Sequence, residues 1–142
     1  MIQQILVVCE GNICRSPMAE ALFRTRGHHA ISAGLNALVG KAPPEDAREA
    51  MQVFGIDISK HRGQQITQAL CTDADLILVM DNGQKRNVES RFPRTRGKVF
   101  RIGEHTNIDI ADPFRQSRSA FDRCAQTIAS GVADWVSRLA HL

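Results

Sequence analysis

A chain of 142 residues, 43% of them apolar, fits one domain with its own core, so 1–142 is expected to be a single unit. Eighteen Lys and Arg against fifteen Asp and Glu leave a formal charge of +3, too mild to indicate nucleic acid as a partner. The apolar run from Ile5 to Cys9 is too short for a membrane span and lacks a signal-peptide layout, so stable membrane association and export are not expected. Cys9, Cys14, Cys71 and Cys124 show no paired zinc spacing, and a cytoplasmic chain would keep them reduced.

Strand-like runs alternate with helical periods. Ile5-Leu6-Val7-Val8 is continuous and β-prone, as a strand buried on both faces must be. Ser16-Pro17 opens a helix, with Ser suited to the N-cap and Pro to the first helical position; Ala19, Leu22 and Phe23 supply its inner face and Gly27 stops it. A short second strand follows at His29–Ala33. Ala47, Ala50, Met51 and Phe54 share a face of a second helix that Gly55 closes. Leu76–Met80 is a third strand, Asn82–Arg91 a polar helix, and Lys98–Ile102 a fourth strand after Pro93. Phe121, Ala125, Ile128, Val132, Trp135 and Leu139 mark the last and longest helix. This alternation predicts an α/β fold with helices on both faces of a parallel sheet. Ligands of such sheets bind at the carboxyl ends of the strands, which directs attention to the loop after the first one.

That loop reads Cys9-Glu10-Gly11-Asn12-Ile13-Cys14-Arg15-Ser16-Pro17. A bare Cys-x5-Arg spacing is weak, and an isolated pair would read as a buried thiol and a surface ion pair. Placement strengthens it: the Cys ends a buried strand, Gly11 and Asn12 permit a tight turn, and Arg-Ser-Pro starts a helix. Backbone N–H groups of such a loop, backed by a helix N-terminus, form an anion site. Arg15 can grip two phosphoryl oxygens, and a cysteine facing that positive field is favoured as the thiolate nucleophile.

The string resembles the signature of low-molecular-weight protein tyrosine phosphatases, and the resemblance covers essentially the whole chain. It implies a three-layer αβα, flavodoxin-like doubly wound fold with a four-stranded parallel sheet and a phosphate loop after the first strand. By that resemblance Cys9 forms a phosphocysteine, while Arg15 and the loop from Glu10 to Ser16 (Glu10, Gly11, Asn12, Ile13, Cys14, Arg15, Ser16) hold the phosphate. Asn12 would keep the loop's unusual backbone, Ser16 would donate to the thiolate, and Ser32 and His61 would brace Asn12. Gln64 stands where the family usually has Arg, which leaves one supporting or surface contact open.

Cleavage of a phosphate monoester also needs a proton for the leaving group and then a base for water. The resemblance assigns both tasks to Asp112 of Ala111-Asp112-Pro113-Phe114; an Asp-Pro pair without the Cys9 loop would be only a turn. Asp81 and Asp109 are weaker candidates, since strand ends and turns carry Asp for capping. Phe114 can stack on a phenyl ring. The stretch Leu35-Asn36-Ala37-Leu38-Val39-Gly40-Lys41 is similar to bacterial members tied to capsule and exopolysaccharide export. That likeness implies an autophosphorylating bacterial tyrosine kinase as the phosphotyrosine substrate; a monomer or weak dimer is expected as the acting species.

No metal or other cofactor is implied. A thioredoxin-linked arsenate reductase shares the loop but needs a cysteine pair after the third strand, and Met80–Gly103 contains none. A phosphocysteine carrier would need no positioned acid, and a non-catalytic anion-binding module would need no ionised thiol. A curled loop would also bring Cys9 and Cys14 within the roughly 7 Å between Cα atoms that a disulfide needs, so an oxidative switch is expected there.

Overall fold

The computed structural model describes residues 1–141. Four strands, β1 (Ile5–Cys9), β2 (Ala30–Gly34), β3 (Leu76–Val79) and β4 (Val99–Arg101), form one parallel sheet in the order β2-β1-β3-β4. The helices are α1 (Arg15–Thr25), α2 (Glu45–Gln52), α3 (Gln68–Asp73), α4 (Asn82–Arg91) and α5 (Arg118–Leu139), with 3₁₀ turns at Pro93–Thr95 and Glu104–Thr106.

β1 is central, and its side chains alternate between two cores. Ile5, Val7 and Cys9 join Met18, Phe23, Met51, Ile128 and Trp135 beneath α1, α2 and α5. Leu6 and Val8 join Ile77, Val79, Cys71 and Val88 on the face covered by α3 and α4. With both sides of the strand buried, no position in it tolerates a polar residue, and the run is continuously apolar. The expected three-layer fold is thus the observed one.

Two local expectations need correction. Ser16 is not the N-cap of α1: the cap position is Cys14, the helix starts at Arg15, and Ser16 and Pro17 lie inside the first turn. The serine oxygen is committed to the loop in front of it, as described below. In addition, α3 has no counterpart in the sequence reading. It is six residues long, buries only Cys71, and starts where Thr67 accepts from the Leu70 amide.

From β1 the chain crosses to β2 on one side, and from β2 it crosses back over β1 to β3 on the other, so the loop after β1 sits where the winding changes direction. Register places Cys9 beside Gly34 at the carboxyl edge of the sheet. A Cβ on Gly34 would lie 2.7 Å from the Glu10 carbonyl oxygen, so only glycine lets the loop cross the end of β2 at this height.

Candidate active site

The loop is shaped by where its carbonyls go. The carbonyl oxygens of Cys9, Glu10 and Gly11 accept from the amides of Leu35 (2.9 Å), Asn36 (3.0 Å) and Leu38 (2.9 Å). Each following N–H points the opposite way across its planar peptide, toward the cavity. Among the described residues, no backbone N–H from Glu10 to Arg15 has an acceptor in the protein. Unpaired donors converging at the start of a helix constitute an anion cradle. The cavity holds about 170 Å³ and is lined by Cys9, Ile13, Arg15, Leu38, Asp112 and Phe114, with Glu10, Gly11, Cys14 and Asn36 completing the wall.

Asn12 holds the turn. It takes a left-handed conformation, φ 58°, which Asn tolerates better than most residues. Its fully buried amide has a fixed orientation, because Oδ1 accepts the Gln64 N–H at 2.9 Å. Nδ2 therefore donates both ways, to Ser16 Oγ at 2.8 Å and to Ser32 Oγ at 2.9 Å. Ser32 passes its own proton to Glu20 Oε1 at 2.8 Å. Ser16, already an acceptor, turns its proton to Cys9 Sγ at 2.9 Å, and the Ser16 N–H reaches the same sulfur at 3.4 Å. His61 Nε2 lies 2.7 Å from the Asn12 carbonyl, which can only accept, so the ring donates from that nitrogen.

Arg15 is 4% exposed. Its Nη1 donates to the Ile110 carbonyl at 2.7 Å, and Nη2 stands 3.6 Å from Asp112 Oδ2. The Nε–Nη2 edge keeps no other protein acceptor among the described residues, which leaves it for an oxyanion. Asp112 has a half-exposed side chain whose Oδ1 accepts the Phe114 N–H at 3.0 Å. The weaker acid candidates have other roles: Asp81 caps α4 through the Gln84 N–H at 2.7 Å, and Asp109 pairs with Arg101 at 3.0 Å. Phe114 and Leu38 stand exposed at the cavity mouth, and the Arg115 guanidinium lies 5.4 Å from the Phe114 ring centre.

All the site residues expected from sequence come together. Two residues were missed or undervalued. Glu20 ends the hydrogen-bond chain, and nothing local marks it, since Ser32 lies twelve residues away. Gln64 was an open contact; its backbone N–H orients Asn12 and its Nε2 donates to the Ser32 carbonyl at 2.9 Å. All four cysteines are free thiols. Cys14 is buried with its thiol against Cys124, and that contact, with burial, pushes it far above the usual thiol range. Cys71 lies on the opposite face of the sheet from Cys124, so those two form no redox pair.

A thiol under unpaired amides, with an arginine and a carboxylate across the opening, defines a phosphatase class that works through cysteine. The chain matches the family described as low molecular weight phosphotyrosine protein phosphatase over residues 4–141, and it belongs to that family. A Ralstonia nicotianae protein named probable low molecular weight protein-tyrosine-phosphatase EpsP is 52% identical over 144 residues, covering 100% of this chain and 99% of the relative. Erwinia amylovora tyrosine phosphatase AmsI has a similar structure, with a TM-score of 0.94 at 38% identity over 97% of this chain and 93% of that one. The tyrosine phosphatase Wzb from Escherichia coli K30, solved in complex with sulphate, gives 0.93 at 37% identity over 98% and 99%.

Proposed function

We propose that this phosphatase hydrolyses phosphotyrosine in proteins by two displacements at phosphorus. The phosphoryl oxygens occupy the loop amides and the free edge of Arg15. The Cys9 thiolate attacks phosphorus and forms the P–S bond as the P–O bond to the tyrosyl oxygen breaks, with Asp112 giving that oxygen its proton. Asp112, now a carboxylate, takes a proton from water as the water attacks phosphorus. The P–S bond then breaks, and inorganic phosphate and the thiolate are released.

The observation that carries this reading is the run of unpaired N–H groups around Cys9, with Ser16 hydrogen-bonded to the sulfur and Asp112 across the opening. Leu38 and Phe114 at the mouth suit an aryl ester, whose reach to a recessed sulfur exceeds that of phosphoserine. The Leu35–Lys41 stretch and the likeness to EpsP, AmsI and Wzb support an autophosphorylating tyrosine kinase of polysaccharide export as the partner. Among the described residues no helix is long and apolar enough to cross a membrane. The acting species in this proposal is a cytoplasmic monomer or weak dimer that meets the partner's tail.

The test is turnover of a chromogenic aryl phosphate. Wild type should be active, and Cys9→Ser should bind inorganic phosphate yet release no phenolate, because a serine hydroxyl is far harder to ionise. Substantial turnover by Cys9→Ser would refute the cysteine route.

A further inference from the structure

The geometry points to Arg101 as a positioning residue for the proton-donating loop, an inference that rests on the assignment of Asp112 as the acid. Arg101 ends β4, an edge strand, yet it is only 5% exposed. Its Nη1 donates to Asp109 Oδ1 at 3.0 Å and its Nη2 to Asn107 Oδ1 at 2.7 Å, with Glu104 Oε2 at 3.5 Å. Its backbone N–H reaches Glu104 Oε1 at 3.1 Å, and its carbonyl accepts from Trp135 Nε1 of α5 at 3.0 Å. One side chain, fixed by its strand and by α5, thus holds three residues of the segment that leads to Asp112.

The segment is also tied to α5, where His105 Nδ1 lies 3.1 Å from Asp134 Oδ2, and to itself, where the Ile108 N–H donates to the Gly103 carbonyl at 3.0 Å, but the Asn107 and Asp109 side chains are held by Arg101. Immediately after Asp109, the Ile110 N–H donates to the Met80 carbonyl at 2.9 Å and the Ile110 carbonyl accepts from Arg15. Only Ala111 then separates the last anchor from Asp112, whose half-exposed carboxyl has just the Phe114 N–H and Arg15 to orient it. The place of this carboxyl is therefore set by its backbone, and that backbone is held upstream by Arg101. Asn107 sits at φ 55°, so the guanidinium also stabilises a turn that an unrestrained chain would rarely adopt.

Stability alone is a poor reason for such an arginine. Its Nε is buried without a partner, and a buried ion pair generally gains little over apolar packing of similar volume. A fixed fork joining two sites on one loop does confer geometry, and proton transfer depends steeply on geometry. Arg101 makes no hydrogen bond or ion pair with residues Cys9–Ser16, and the Ile110 carbonyl that Arg15 uses has its own tie through the Ile110 N–H to Met80, so the effect of Arg101 should fall chiefly on the acid.

The experiment compares kcat/KM for phenyl phosphate, a poor leaving group, with that for 2,4-dinitrophenyl phosphate, which departs without a proton. Arg101→Met should lose about 10-fold on the first and less than about 2-fold on the second, as expected of a displaced proton donor. Inhibition by inorganic phosphate should stay at the wild-type level. In an Asp112→Ala background, Arg101→Met should cost nothing further. Equal losses on both substrates, or the same loss in the Asp112→Ala background, would overturn the inference. If Arg101→Met fails to fold, Asp109→Asn, at a half-exposed position, should show the same selective loss in smaller measure, and uniform behaviour there overturns the inference equally. Asp112→Ala alone separates the two claims: no leaving-group dependence in that variant refutes the acid assignment, whereas its presence there and absence in Arg101→Met refutes only the role of Arg101.

Discussion

Asn12→Ala removes the residue on which the nucleophile loop converges. Three hydrogen bonds disappear: those to Ser16 and Ser32, which are buried, and that from the Gln64 amide, which is partly buried. At about 1 kcal/mol each they account for about 3 kcal/mol. Alanine at φ 58° adds about 1 kcal/mol, so the loss should be near 4 kcal/mol. For a chain of this size that lowers the melting temperature by roughly 10 °C. Activity should fall as well, because Ser16 loses the donor that turns its proton toward Cys9. Asn12→Gly is the informative partner: it relieves the strain, but it adds up to about 1 kcal/mol of chain entropy to the unfolded state. The two variants should therefore melt within about 1 kcal/mol of one another. Thermal unfolding and kcat/KM on an aryl phosphate provide the measurements. Recovery of Asn12→Gly to near wild-type stability and rate would show that the left-handed backbone matters and the hydrogen-bond network does not.

Asp112→Ala should cost roughly 10²–10⁴-fold in kcat/KM on poor leaving groups and much less on activated aryl phosphates; an equal loss on both would make Asp112 structural. Asp75 accepts the Gln3 and Gln4 amides, which hold its carboxyl below the usual carboxylate range. The stability it contributes is present above the unfolded-state pKa and lost as pH falls through the lowered folded-state value, so the melting difference between wild type and Asp75→Asn should vanish in strong acid. After peroxide converts Cys9 to a sulfenic acid, closure to a Cys9–Cys14 disulfide with loss of water needs the Cys14 thiolate, which the Cys124 contact disfavours. Closure should quicken with rising pH and in Cys124→Ala, as read by mass spectrometry of quenched samples; an unchanged rate in that variant would remove Cys124 from the account.

The parts legible in the sequence are those whose physics is local. β1 and β3 announce themselves because a strand buried on both faces is apolar at every position, and Asn82–Arg91 is framed by Asp81 at one end and Pro93 at the other. The phosphate loop is one contiguous string, so its residue types and their placement could be read together. Ser16 misled for an instructive reason. Serine before proline normally caps a helix, but here its oxygen accepts from Asn12 and its proton goes to Cys9, so the cap passes to Cys14. Gln64, Glu20 and Arg101 carried no local signal, since each matters through a partner that only folding brings near. A glutamine fifty-two residues from Asn12 looks like any surface amide until its segment pairs with the end of β2 at Gly34.

The two halves of the site are held by different means, and the difference follows from what each must do. The groups hydrogen-bonded to Asn12 are serine hydroxyls, a backbone amide and an imidazole; the carboxylate of this chain of bonds, Glu20, stands at the far end beyond Ser32, with Arg24 3.9 Å from it, and the carboxylate of Glu10 in the loop itself is taken up by Asn36 Nδ2 at 2.6 Å. A carboxylate closer to the sulfur would oppose the positive field that the open amides and the start of α1 provide for an incoming anion. The acid loop has the opposite problem, because it must keep a carboxyl beside a phosphoryl group that repels it once ionised. Two arginines serve that need: Arg15 faces the carboxyl itself, and Arg101 holds the backbone a few residues upstream. Neutral donors can define the nucleophile, whereas holding a carboxyl next to an anion calls for fixed positive charge.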